Sequence, residues 1–124
     1  MRGLRCFTFP HIRDPEVLEA CAIKEALLWL RDNDWLTGSI ETDCLGVVLA
    51  INSPARMLSP LGGIIDDCKT ILSQFPGIKV NHVRREANRV AHELARHAFI
   101  WSCIVLNLNQ LPDPIPGLLV TDSE

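Results

Sequence analysis

Two acidic residues stand out for where they fall in the chain. Glu19 lies in the segment VLEACAIKEALLWLRDN, residues 17–33, whose apolar positions recur at helical spacing, and it sits at the centre of the apolar side. Advancing about 100° per residue puts Ala22, Ile23, Ala26 and Leu30 on the apolar side and Lys24, Glu25, Arg31 and Asp32 on the other. A carboxylate on a buried face is costly unless it is paired, hydrogen-bonded or bound to a metal. The competing reading is a first-turn glutamate bent out to solvent and favoured by the helix dipole. Asp43 closes a short strand candidate, SIETD at 39–43, just ahead of an apolar helix at 45–51. Ligands gather at the carboxyl ends of strands in open α/β sheets, although a plain N-cap accounts for the same residue. Carboxylates from two separate elements could together hold Mg²⁺, which takes oxygen ligands and keeps much of its water.

The remaining polar groupings are weaker. Arg84, Arg85, Arg89 and Arg96 form the one basic cluster of note, suited either to phosphates or to an ordinary charged helix entrance. The run HELARH at 92–97 fails as a zinc-protease motif. Its histidines are five residues apart rather than four, which turns the second imidazole about 140° from the first. No phosphate-binding glycine loop and no G-x-S-x-G occurs.

The elements that would carry these residues follow from local signals. Asp14-Pro15-Glu16 supplies an N-cap, a first-turn proline and an acid at the positive end of a helix. Ser59-Pro60 opens a longer helix with Leu61, Ile64, Ile65, Cys68, Ile71, Leu72 and Phe75 at helical spacing, and Pro76-Gly77 stops it. Residues 78–83 (IKVNHV) alternate as a strand, with Ile78, Val80 and His82 on one face. A last helix starts near Asn88, with Val90, Ala91, Leu94, Ala95 and Ala98 as its apolar side. The Pro-containing tail at 107–124 reads as irregular. This order indicates an α/β layered fold, yet two clear strands are too few for a stable sheet.

Composition sets the bounds. At 124 residues, with 48% hydrophobic and 22% charged, the chain is one globular domain. A formal net charge of −3 counts against unspecific affinity for phosphate backbones. The five cysteines are odd in number, scattered and without a C-x-x-C pair, which favours buried free thiols in a reducing compartment. No signal-peptide pattern opens the chain, and the apolar stretch at 99–108 is too short to span a bilayer. The expectation is a soluble intracellular protein, in nucleus or cytoplasm.

Four segments in order resemble type 1 ribonuclease H domains, in particular the reverse-transcriptase-like branch abundant in plants and derived from retroelements. They are LEACAIKEAL at 18–27, ETDCLGVV at 41–48, NSP and SPLG at 52–54 and 59–62, and HVRREANRVA at 82–91. The resemblance implies an α/β fold, a ribonuclease H-like mixed sheet flanked by helices, here lacking the first strands. It divides the chain into a remnant strand or leader at 1–13, an incomplete domain at 14–106 and a tail at 107–124. It also implies an endonuclease that cuts the RNA strand of an RNA–DNA hybrid with Mg²⁺. Glu19 then matches the family's helix glutamate and Asp43 its second aspartate, both as catalytic and metal-binding residues. Arg84, Arg85, Asn88 and Arg89 become nucleic-acid contacts.

Three departures follow from the same resemblance. No residue before Glu19 resembles the strand that bears the family's first aspartate, and residues 6–9 look like a remnant of the third strand. His92 stands at the family's final aspartate, among the catalytic positions, and a neutral imidazole is a poor Mg²⁺ ligand. No residue matches the flexible-loop histidine. Impaired catalysis is the expectation, with a non-catalytic nucleic-acid or protein interaction module, or an inert truncated product, as the alternative. Since the family's first strand lies beside the strand ending at Asp43, Ile40 and Thr42 are expected to lack a backbone partner on one side. The monomer would then be partly molten unless residues 1–12 substitute.

Overall fold

The computed structural model of the chain describes residues 2–9, 11–56, 58–84, 101–108 and 119–121. In chain order the elements are β1 (Arg2–Thr8), α1 (Pro15–Asp32), β2 (Gly38–Thr42), α2 (Leu45–Asn52), α3 (Pro60–Gln74), β3 (Ile78–His82), β4 (Trp101–Leu108) and β5 (Leu119–Thr121).

The helix ends follow the local chemistry. Asp14 caps α1 by accepting from the Glu16 N–H at 2.9 Å, with Pro15 in the first turn. At the other end Asp34 adopts a left-handed φ of 57°, which lets the Trp35 N–H reach the Leu30 carbonyl at 2.8 Å. Ser59 caps α3 by accepting from the Gly62 N–H at 3.0 Å. Among the described residues no helix is long and apolar enough to cross a membrane.

The sheet is mixed, in the order β3-β2-β4-β1-β5. β2 and β3 run parallel with Ile40 opposite Val80 and Thr42 opposite His82. β4 runs antiparallel to β2, with Gly38 opposite Leu108 and Ile40 opposite Leu106. β1 is antiparallel to both β4 and β5. The parallel β2–β3 pair needs a crossover, and α2 and α3 provide it. Ile40, Thr42, Val80 and Leu106 are all buried, and α1 contributes Ala20, Ala22, Ile23, Ala26, Leu27 and Leu30 to the same core. Small residues at the α1–α3 contact let the two backbones approach, so that the Cys68 thiol reaches the Ala20 carbonyl at 3.9 Å. Burial pushes that thiol's pKa up to about 12. The expected buried free thiols are met at Cys68, while Cys21 and Cys44 are free and half-buried.

Three expectations need correction. The flank of β2 expected to be unpaired is occupied from Gly38 to Glu41, which includes Ile40 but stops short of Thr42, and the occupant is β4 from later in the chain rather than residues 1–12. The two strands legible in the sequence are part of a five-stranded sheet. Residues 119–121, within the tail read as irregular, pair with β1. For β4 the reason lies in its pattern: WSCIVLNL is mostly apolar, and Ser102 and Asn107 fall on opposite parities, so no period-two alternation marks it as a strand. His82 shares the parity of Ile78 and Val80 but is exposed at the strand end. The helix expected from Asn88 lies outside the described residues.

Candidate functional site

Glu19 continues the buried stripe of α1, one turn before Ile23. The structure resolves its two readings in favour of hydrogen bonding. Glu19 is half-buried and its Oε2 accepts from the Thr42 hydroxyl at 2.5 Å. Thr42 is fully buried at the end of β2, on the face shared with Ile40. Its hydroxyl also accepts from the Cys44 N–H at 3.1 Å, and its carbonyl accepts from the Val83 N–H at 2.9 Å. The hydroxyl thus donates once and accepts once, which is what one O–H can do while keeping a lone pair spare.

This arrangement fixes the backbone on both sides of Asp43. The aspartate is half-buried at the carboxyl end of β2, between the bonded Thr42 and Cys44. It is not the cap of α2. Cys44 occupies that position, and no side-chain cap bond comes from it. Instead an acid from another element lies against the first turn of α2. A Cβ added at Gly46 would stand 2.5 Å from Glu16 Oε2, so a side chain there would make this exposed carboxylate swing aside. A carboxylate at a helix N-terminus is favoured by the dipole.

Three carboxylates therefore surround Cys44. Its thiol pKa is raised chiefly by burial, opposed by a backbone hydrogen bond from Val47, and raised further by the charges of Glu19, Glu16 and Asp43. All three acids are near enough to act on one sulfur. Still, among the described residues no three His, Cys, Asp or Glu side chains form a group able to hold a metal ion.

Of the other candidate residues, Arg84 is exposed just beyond β3. Arg85, Asn88, Arg89 and His92 lie outside the described residues. Sequence reading missed Thr42, Glu16 and Gly46. A signal existed for Thr42, since the alternation of SIET places this polar side chain on the same face as Ile40. None existed for Glu16 and Gly46, which meet across two helices. A cavity of about 490 Å³ beside β3, lined by Asn52, Lys69, Lys79 and Asn81 among others, contains none of the candidate acids.

A family model described as reverse transcriptase-like matches residues 2–98. No curated protein and no solved structure matches the chain.

Proposed function

The chain belongs to the reverse transcriptase-like family and folds as an RNase H-like domain, and we propose that it binds RNA–DNA hybrid through a type 1 ribonuclease H surface on which cleavage is weak or lost. The plant retroelement-derived branch is the proposed origin. Glu19 and Asp43 are the residues assigned to the catalytic corner. The observation that carries this reading is the Glu19–Thr42 hydrogen bond, because it ties α1 to the end of the strand that presents Asp43.

The donor set suits one Mg²⁺ better than two. Mg²⁺ is commonly bound by one or two carboxylates with waters and substrate oxygens completing the octahedron, which Glu19 and Asp43 would satisfy. A bound Mg²⁺ would lower the pKa of a coordinated water and offset charge on the leaving oxygen. A two-ion centre asks for further acids. The strand beside β2 on that side, Trp101–Leu108, carries no acidic residue, and in the sequence His92 stands where the resemblance expects an aspartate. Thr42 holds Glu19 in place, and Arg84, Arg85, Asn88 and Arg89 are the residues assigned to phosphate contacts.

The test is a binding and cleavage assay on a labelled RNA–DNA hybrid with the purified chain in Mg²⁺. Salt-sensitive binding with little or no cleavage is expected. Efficient cleavage that disappears in Asp43→Asn would replace this reading by a competent nuclease using the same corner. Absence of hybrid binding at low salt would remove the nucleic-acid reading and leave a protein-interaction module.

A further inference from the structure

The five cysteines are widely separated in sequence, yet the sheet brings two of them together. Cys6 of β1 and Cys103 of β4 are direct cross-strand partners in the antiparallel register. Directly opposed residues on antiparallel strands have Cα atoms about 4.5–5.5 Å apart, whichever of the two kinds of pair they form. Disulfides span Cα separations of about 4.4–6.8 Å, and this register places the pair inside that range. The register is fixed by seven consecutive partners, from Arg2 opposite Asn107 to Thr8 opposite Trp101. A slip by one residue would separate the cysteines and turn every side chain of the strand to the other face.

We propose that Cys6 and Cys103 are a redox-active dithiol pair that closes to a cross-strand disulfide and staples β1 to β4. The reaction is a two-electron exchange with a small-molecule disulfide such as oxidised glutathione. The thiolate of one cysteine attacks a sulfur of the glutathione disulfide, breaking its S–S bond and releasing one glutathione thiolate. The second protein thiolate then attacks the mixed disulfide, forming the protein S–S bond and releasing the second glutathione. Two protein thiols are oxidised, one disulfide is reduced to two thiols, and the two protons pass to the glutathione thiolates or to solvent.

Selectivity has an independent basis. Only thiolates attack, and the other three cysteines are held as thiols: Cys68 most strongly, with Cys21 and Cys44 also raised by burial. The consequence reaches the acidic corner, because β4 is the strand that also pairs with β2, from Gly38 to Glu41. The proposal does not depend on the hybrid-binding reading, and a protein that binds no nucleic acid would test it equally well.

The experiment is equilibration of the full chain in glutathione buffers of graded redox poise, followed by acid quench, alkylation and peptide mapping by mass spectrometry. One intramolecular Cys6–Cys103 link is expected, with Cys21, Cys44 and Cys68 recovered as alkylated free thiols and the buried Cys68 modified only after unfolding. The oxidised monomer should melt several degrees higher than the reduced one, since the link closes a loop of most of the chain. Cys6→Ser should abolish both the link and the shift, and Cys103→Ser should do the same. If either variant fails to fold, the map of the unmodified chain decides alone. Links to other cysteines, stable glutathione adducts at both positions without a disulfide, or a fully reduced chain under strongly oxidising poise would each overturn the proposal.

Discussion

At the residue scale the structure turns on Thr42. Its hydroxyl serves an acid in α1 and an amide at the start of α2, and it is wholly shielded from water. Thr42→Val keeps the shape, deletes the donor to Glu19 and leaves the Cys44 N–H without its acceptor. Stranded buried polar groups cost about 1–3 kcal/mol each, so urea denaturation should show destabilisation in that range. Thr42→Ser keeps both hydrogen bonds and loses only a methyl, worth about 1 kcal/mol. Equal losses in the two variants would show that packing, not the hydroxyl, is what matters. Glu19 was legible in the sequence because an acid on an apolar stripe demands an explanation. Its partner was not, because a threonine at a strand end is ordinary until the helix that faces it is known.

At the scale of elements, two glycines separate backbone need from habit. Gly63 lies inside α3 with nothing within 4 Å of an added Cβ. Gly77 links α3 to β3, and there an added Cβ would stand 2.5 Å from the Leu36 carbonyl oxygen. Gly63→Ala should therefore stabilise by about 0.5–1 kcal/mol through helix propensity and a less free unfolded chain. Gly77→Ala forces backbone apart and should destabilise by about 1–3 kcal/mol. Chemical denaturation midpoints of the two variants should move in opposite directions, and movement in the same direction would contradict the packing described. The helices themselves were plain in the sequence, because α1 and α3 both carry a cap, a proline and a regular stripe. The strands divided by pattern. β2 and β3 alternate or sit between clear turns, whereas the mostly apolar β4 carries Ser102 and Asn107 on opposite parities and shows no period-two pattern.

At the scale of the whole molecule, β2 is an interior strand with partners on both edges. Amide hydrogen exchange should therefore find Ile40 among the slowest sites, its register partners being Val80 on one side and Leu106 on the other. Deleting residues 101–124 should abolish that protection and broaden the unfolding transition. Persistence of slow exchange in the shortened chain would mean that another segment serves as the neighbour. The acidic corner was half legible for a similar reason. Glu19 and Asp43 announce themselves locally, but what flanks them depends on pairings between distant parts of the chain.

Those pairings also set a timetable. Arg2 ends opposite Asn107 and Gly38 opposite Leu108, so β1 and β2 must both wait for a partner that follows much later in the chain. A ribosome adds about 5–20 residues per second, and during that interval β1 and the open edge of β2 emerge with no sheet partner in β4. Joining ends so far apart carries a loop-closure cost that must be met before the contacts repay it, which slows the search. The helical layer of α1, α2 and α3 with the β2–β3 pair can assemble first from neighbouring segments. The sheet then closes in a late step, once β4 is available, and until then the edge of β2 that β4 covers stays open.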